Sequence, residues 1–498
     1  MSLVRDTVRG ALWTVLAGVG SRLVGLVGTL IVTRYVGPAD YGEVTVAAVL
    51  TMSANQLSTV GLGQYLVSRP KADPVAAFHA ATFHVSLGVV ALSVLLGVGP
   101  RLGIVLDVPK MAQYLPGLAL GALLDRIAFV PERVLVRDLR FGIVSASRTV
   151  GELAYASVCV GLAATGWGAS AIVMGNVVRS LMRLAALLPA VNRRDWLQPC
   201  RLSVRKTREM LAFGVPIALA SLCSFASRRW DNLLVSRLFG PGPTGMYNLA
   251  YNLADIPAIH VGEQVGDVLL PSFARMEAGR RPAALVRSVS LLALVVFPMA
   301  IGLGAVAPVL IASVLGPAWR PIGPMLVILS ALSVTRPIGW MAASYLQARS
   351  SPGAILGLEV MKLSVLVVSI AALGARGPLW TCVAVGVTFG VHAVASLWVI
   401  QRRDSVSLGL LFGNLVRVLL ACIPMVGAVL AGQFVICGVY GARPAAGLVA
   451  EVTMGALAYV PSALLLAPTI ARDLVARVVD AARPSLPEHG LLPAKKAP

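Results

Sequence analysis

The residues best able to do chemistry in this sequence are arginines that interrupt long apolar runs. A charge at the centre of a membrane helix costs about 2.5–3.5 kcal/mol on insertion scales, so such side chains face protein or a wet cavity. The planar guanidinium matches phosphate oxygens, two at a time. The pattern therefore predicts a cationic cavity that binds an anion. Its candidate residues are Arg22, Arg179, Arg183, Arg228, Arg229 and Arg336.

Two alternatives remain open for these and other arginines of the apolar runs. A long side chain near a helix end can extend its charge to the headgroups, and we favour this interpretation for Arg126, Arg148 and Arg287. The other alternative is a structural network of ion pairs. The i, i+3 spacing of Glu359 and Lys362 predicts one such pair on a single helix.

Carboxylates in the same runs are candidates for coupling transport to a cation. The candidates for an H⁺ or Na⁺ site are Asp255, Glu263 and Asp125. Asp255 lies deepest and follows Asn248 and Asn252, whereas Glu263 could simply neutralise the nearby basic surface. The six cysteines and five histidines show no ligand spacing, so we expect no metal and no cofactor beyond the coupling ion.

The composition indicates the elements that must position these charges. The chain has 498 residues, 57% of them hydrophobic and 13% charged, against about 25% charged in soluble domains. A spanning helix needs about 20 apolar residues. We therefore predict an all-α polytopic membrane protein with about fourteen spans. Their predicted bounds are 11–36, 43–66, 75–98, 110–130, 143–165, 169–190, 210–235, 246–270, 283–306, 322–346, 354–374, 378–400, 409–435 and 445–468.

A repeat divides these spans into two similar halves. Residues 30–42, LIVTRYVGPADYG, recur at residues 233–245 as LLVSRLFGPGPTG, an offset of 203 positions. Each copy holds a Gly-Pro turn that ends one helix and opens the next; these turns, Gly37–Pro38 and Gly240–Pro241, are the candidate gate. Six spans per half is an even number, so both copies enter from the same side and predict a pseudo-twofold axis along the membrane normal.

The repeat and the loops predict the organisation of the chain. We expect two pseudo-symmetric six-helix lobes, two additional helices and a terminal tail, with a basic linker between the lobes. The predicted bounds are 1–190 and 209–400 for the lobes, 191–208 for the linker, 401–470 for the additional helices and 471–498 for the tail.

The distribution of basic residues predicts the orientation. With the N-terminus inside, the inside loops hold 24 Lys and Arg and the outside loops hold seven. This is the positive-inside pattern, which places the linker and both termini in the cytoplasm. The net charge of +20 then follows from topology and from attraction to anionic lipid, and requires no nucleic acid.

The opening of the chain resembles the polysaccharide-exporter or oligosaccharide-flippase family of the multidrug/oligosaccharidyl-lipid/polysaccharide exporter superfamily. The matching residues are GALW at 10–13, SR at 21–22 and VGPADYG at 36–42, with Val36 where the family usually has Leu. Residues 213–241 resemble the start of the family's second half. The likeness covers 3–70 and 209–276 well, is only topological elsewhere, and is weak in the last two helices.

The resemblance implies a monomeric bacterial inner-membrane protein that moves a polyprenyl-diphosphate-linked oligosaccharide between leaflets by alternating access. It also implies glycosyltransferases or a glycan polymerase as partners. A lipid II flippase of the same superfamily is an alternative with the same lobes. A cation-coupled multidrug exporter is disfavoured by the buried arginines. A membrane glycosyltransferase or polymerase is disfavoured by the short outside loops.

Overall fold

The computed structural model describes residues 24–25, 27–62, 65–66, 74–257, 262, 264–439 and 444–482. Arg22 and Glu263 lie outside these residues. Within them the regular structure is helical, without a strand. The helices are α1 (24–25 and 27–32), α2 (Pro38–Leu57), α3 (Pro74–Val105), α4 (Met111–Arg137), α5 (Phe141–Ala164), α6 (Ser170–Leu187), α7 (Val204–Arg229), α8 (Asp231–Phe239), α9 (Pro241–Pro257), α10 (Gln264–Arg275), α11 (Arg281–Val314), α12 (Ile322–Leu332), α13 (Arg336–Ala348), α14 (Pro352–Leu373), α15 (Pro378–Gln401), α16 (Leu408–Val439), α17 (Pro444–Leu466) and α18 (Pro468–Ala482).

The helices confirm the all-α membrane fold but not the count of fourteen spans. Ten segments of the described residues are long and apolar enough to cross a membrane. Helices α2 and α5 occupy predicted spans yet are not among the ten. Each carries charges inside its apolar run, Asp40 and Glu43 in α2 and Arg148 and Glu152 in α5. Mean hydropathy therefore underestimates the number of spanning helices when some of them carry charged residues.

The two copies of the repeat meet where α2 crosses α9. A Cβ on Gly42 would collide with the carbonyl oxygen of Pro241, and a Cβ on Gly245 with that of Pro38. One turn further, the Asn248 amide donates to the Thr45 hydroxyl at 3.0 Å, and these residues are 203 positions apart. Equivalent residues of the two halves thus contact each other reciprocally, as a pseudo-twofold axis requires.

Further contacts between the halves close the end of the molecule that carries the Gly-Pro turns, here called the turn end. Beyond α1, Arg34 donates to the carbonyl oxygens of Val314 and Ser313, each at 3.0 Å. In the equivalent place the Ser236 hydroxyl of α8 donates to the carbonyl oxygen of Leu106, at 2.7 Å. The described residues of the two halves are therefore in direct contact at the turn end.

The backbone explains the sequence of the two turns only in part. Pro38 and Pro241 each open a helix, where the missing N–H has no helical partner to lose. Gly240 has φ 74, a left-handed conformation that other residues rarely adopt. Gly37 has φ −72, which any residue can adopt, so the glycine there is not required by backbone conformation.

The last three helices pack on the outside of the second half. Helices α16 and α17 lie against α11, and their contact residues belong to one buried apolar cluster with Ile470 and Ala471 of α18. The segment expected to be a tail after residue 471 thus continues as helix to Ala482.

Candidate functional site

A polar cavity of about 380 Å³ lies in the second half, between α7, α9, α13, α14 and α15. The segment 322–348, which borders it, is broken in its middle. Pro337 lacks the N–H that would continue the helix, and a 3₁₀ turn at Ser333–Thr335 precedes Arg336. The lining residues are Ser224, Arg228, Asp255, Thr335, Arg336, Gly339, Trp340, Ala343, Ser344, Gln347, Glu359, Lys362, Phe389 and His392.

Two of the candidate residues form an ion pair in this cavity. Arg336 bridges to Asp255, and their side chains are only 6% and 9% exposed. The guanidinium also lies over the rings of Phe389 and Tyr251, at 4.6 and 5.0 Å from the centroids. Such stacking stabilises a cation in a low-dielectric site. Arg336, predicted to bind an anion, and Asp255, predicted to bind a cation, thus neutralise each other in this structure.

A second ion pair in the cavity confirms a prediction from spacing. The Lys362 ammonium lies 3.2 Å from a Glu359 carboxylate oxygen, one turn apart on α14. The ammonium also lies 5.4 Å from the ring centroid of Phe389, so this ring contacts both buried cations of the cavity wall. His392 completes this wall from α15.

Arg228 is the cation of the cavity that lacks a carboxylate partner among the described residues. Its exposed side chain donates only to Ser224 on its own helix, to the carbonyl oxygen at 3.3 Å and the hydroxyl at 3.4 Å. With Arg228, Arg336 and Lys362 against Asp255 and Glu359, the lining has three cations and two carboxylates. One positive charge is therefore left to attract an anion.

Arg229 points to the interface between the halves. It donates to the Asn252 side chain at 3.3 Å, and Asn252 donates to Asn248, which in turn donates to Thr45 of α2. This chain of hydrogen bonds links α7 to α2 through α9. The adjacent arginines 228 and 229 thus have different surroundings.

The remaining described candidates lie together in the first half. Arg183 bridges to Asp125 at 3.2 Å and to Glu132, while Arg179 lies 3.8 Å from Glu152. Arg148, expected to extend to the headgroups, bridges to Glu132 at 2.6 Å. Three arginines thus face three carboxylates on α4, α5 and α6, and Arg133 of α4, over the Phe129 ring, adds a fourth cation beside Glu132. These helices correspond in order to α12–α13, α14 and α15 of the second half.

The prediction that Arg126 extends to the headgroups is wrong. Its side chain is 2% exposed and donates to the carbonyl oxygens of His84 and Asn55 and to the Ser58 hydroxyl. A Cβ at Gly88 would collide with it. The arginine therefore joins α4 to α2 and α3 as a structural residue, and proximity to a helix end was a misleading signal.

Helix α13 carries a polar stripe of which only Arg336 was predicted from the sequence. Arg336, Trp340, Ser344 and Gln347 line the cavity at spacings of i, i+4, i+8 and i+11. Residues three and four positions apart lie on one face of a helix, and a row of polar residues at this spacing indicates a face turned away from lipid. Applied to this segment, this rule would have identified the three residues that follow Arg336.

Comparison with known sequences identifies similar proteins. A family model described as polysaccharide biosynthesis protein matches residues 31–324. The chain is 25% identical over 393 residues to the lipopolysaccharide biosynthesis protein WzxC of Escherichia coli K12, covering 78% of each chain. It is 25% identical over 498 residues to the succinoglycan biosynthesis transport protein ExoT of Rhizobium meliloti, covering 97% of each.

Comparison with solved structures supports the fold. The lipid II flippase MurJ in an inward closed conformation superposes with a TM-score of 0.77 at 12% identity, over 93% of this chain and all of that one. An inward-facing multidrug resistance MATE family transporter of the MOP superfamily gives 0.58 at 18% identity, over 77% of this chain and 94% of that one. At these identities the likeness shows a shared architecture.

Proposed function

The chain belongs to the polysaccharide biosynthesis protein family, and from this premise we propose that it moves a polyprenyl-diphosphate-linked oligosaccharide across the membrane by alternating access. It is an integral membrane transporter and not an enzyme. The family assignment rests on the match over residues 31–324. The observation that carries the substrate class is the surplus cation, Arg228, in a cavity among membrane helices.

The cavity suits a diphosphate attached to a sugar. Arg228 is exposed to the cavity and can offer its guanidinium fork to phosphate oxygens. The neighbouring stripe of Trp340, Ser344 and Gln347 supplies an aromatic face and hydrogen-bonding groups of the kind that sugar hydroxyls and ring faces contact. The phosphates and the first sugar would then lie side by side along α13.

The closed turn end suits one state of an alternating-access cycle. Release on that side requires α2 to part from α9, and the bonds from Arg34 and Ser236 to break. These contacts lie at the turn end, whereas the halves also meet at the other end of α2, where Gly61 packs against Gly214. A rigid-body rocking of the halves can therefore open this end without unfolding either half.

The positive-inside pattern supports a cytoplasmic location for the linker, and hence an external location for the turn end. We predict that Gln198→Cys, exposed in the linker, reacts with an impermeant thiol reagent only after the cells are permeabilised. Ala375→Cys, exposed between α14 and α15, should react in intact cells. Both variants would be made in a chain whose native cysteines are replaced by Ala. The reverse labelling pattern would invert the proposed orientation.

The substrate proposal is tested by Arg228→Ala. A hydrogen bond to a charged group contributes about 1.5–3 kcal/mol, so transport of the lipid-linked glycan at low substrate should fall about tenfold to a hundredfold. Transport would be measured as surface glycan in cells and as glycolipid translocation in proteoliposomes.

The matched control for this test is Arg376→Ala, because Arg376 is exposed in a loop and contacts the ring of Trp380. It should transport like the wild type. Unchanged transport by Arg228→Ala, with normal protein in the membrane, would remove the cavity from the substrate path.

We propose a proton or Na⁺ as the coupling ion, with Asp255 as its site. The carboxylate is held by Arg336 in the described state, so cation binding there would have to accompany loss of this bridge. Asp125 is held similarly by Arg183 and the Ser180 hydroxyl. Dependence of proteoliposome transport on a pH or Na⁺ gradient tests the proposal.

Lipid II is the competing substrate, and its support is the MurJ-like architecture. That likeness is at 12% identity, which supports the fold and not the glycan. Depletion distinguishes the two substrates: loss of a surface glycan supports the proposal, and loss of cell-wall synthesis supports lipid II. Glycosyltransferases or a polymerase as partners, and a monomeric state, are further parts of the proposal.

A further inference from the structure

A second polar groove lies far along the chain from the cavity, where α11, α16 and α18 meet. Its volume is about 420 Å³. It is formed by the first turns of α11 and α16 and the start of α18, at the end of the molecule opposite the turn end. The lining residues are Ala283, Val286, Arg287, Ser290, Leu291, Ser407, Leu410, Asn414, Arg417, Thr469, Ile470 and Asp473.

The groove contains a cation that the protein does not neutralise. Arg287 is bound by Asp473, with Nε 2.5 Å from one carboxylate oxygen and the second oxygen bound by Nη2. Arg417 is exposed and has no carboxylate partner among the described residues. The groove thus has two cations and one carboxylate, and the surplus charge is on Arg417.

The position of Arg417 on its helix directs this charge into the groove. Leu410, Asn414 and Arg417 share one face of α16 at i, i+4 and i+7, and all three line the groove. Side chains on a helix lean toward its N-terminus. The long arginine therefore leans toward the helix start at Leu408, which the positive-inside pattern assigns to the cytoplasmic side.

The groove has polar groups at its floor and hydrocarbon at its sides. Asn414 donates to the Ser290 hydroxyl at 3.0 Å, and Ser407 and Thr469 add hydroxyl groups to the lining. Beside it, Leu410 and Val416 are 59% and 52% exposed on the outer surface of α16. Such a combination matches a ligand with an anionic head and apolar chains.

We propose that this groove binds the headgroup phosphate of an anionic phospholipid, with Arg417 as its ion partner and the acyl chains along α16. Helix α18 borders the site with buried Ile470 and Ala471 on one side and exposed Arg472 on the other. This is the arrangement of a helix that lies at a membrane interface and meets anionic lipid. The site is independent of the glycolipid cavity.

The test is native mass spectrometry of the purified full chain with added phosphatidylglycerol. Wild-type protein should show a saturable bound lipid, and Arg417→Gln should weaken binding about tenfold or more, since it loses charge-assisted hydrogen bonds. The matched control is Arg402→Gln, which removes the same charge from an exposed arginine at the same end, over the Trp398 ring. The control should bind like the wild type.

A second variant tests the proposal by filling the groove with a large side chain. Thr469→Trp fills the groove from an exposed position and leaves Arg417 in place, so it should also lose the lipid even if Arg417→Gln fails to fold. If Arg402→Gln loses as much bound phosphatidylglycerol as Arg417→Gln, the lipid is held by general attraction to the basic surface and the proposal is wrong. Equal binding of phosphatidylcholine would overturn it in favour of an apolar groove. Displacement of the lipid by millimolar inorganic phosphate would identify a free-anion site instead.

Discussion

Joining α2 to α9 with a disulfide between positions 45 and 248 should abolish glycolipid transport completely and reversibly. Thr45 and Asn248 already contact each other at 3.0 Å across the interface of the halves. Thr45→Cys with Asn248→Cys therefore places two thiols side by side in the closed state. Because opening the turn end requires these helices to part, the oxidised chain should remain closed, and a reductant should restore transport.

The control is a crosslink of the same chemistry inside one half. A Cβ at Gly175 would lie 3.1 Å from the Cβ of Cys159, so Gly175→Cys can pair with this native thiol between α5 and α6. That bond leaves the halves free to rock and should leave transport nearly unchanged. Both would be oxidised with a membrane-permeable reagent and assayed in proteoliposomes. Undiminished transport with the 45–248 bond complete would exclude opening at this end.

Removing either member of the Asp255–Arg336 pair should strongly destabilise the protein. Breaking a buried ion pair leaves an uncompensated charge and costs about 3–5 kcal/mol. Asp255→Leu or Arg336→Met alone should therefore lower the thermal midpoint in detergent and the yield of folded protein. The double variant, which removes both charges and keeps apolar volume, should recover most of the loss.

The exposed pair of Glu277 and Arg280 provides the matched comparison. Both side chains are about 80% exposed, so Glu277→Ala should change stability by less than about 1 kcal/mol. If the single variants at 255 and 336 are as stable as Glu277→Ala, the prediction that breaking the buried pair destabilises the protein is wrong. Transport by the double variant then decides the role of the pair. A folded double variant that cannot transport assigns the pair a role in transport, whereas one that transports makes the pair structural.

The sequence was sufficient for the all-α membrane fold, because long apolar helices are recognised from local patterns, but the count of fourteen spans is not confirmed. The Gly-Pro repeat likewise predicted which helices of the two halves are equivalent, and α2 and α9 meet at the repeat residues Gly42 and Gly245. The Glu359–Lys362 pair was predictable because both residues lie one turn apart on the same helix.

The partners of the other charges could not be predicted, because they lie on different helices. Arg183 meets Glu132 only through the packing of α6 on α4. Arg336 meets Asp255 because α12, which precedes it in the broken segment 322–348, packs on α9. Periodicity shows which face of a helix a residue occupies but not which helix stands opposite. For the same reason depth along a span could not distinguish Arg126, which is buried, from Arg287, which is exposed.

The reciprocal crossing at Gly42 and Gly245 has a consequence for the history of the chain. Gly42 contacts Pro241, and its equivalent Gly245 contacts Pro38, the equivalent of Pro241. Such reciprocal contacts are the geometry of a homodimer interface. Two copies of a single six-helix ancestor would form this crossing with one glycine each, and fusing them preserves it. After fusion the copies would be free to diverge, so that a polar residue such as Arg228 can serve one half without a counterpart in the other.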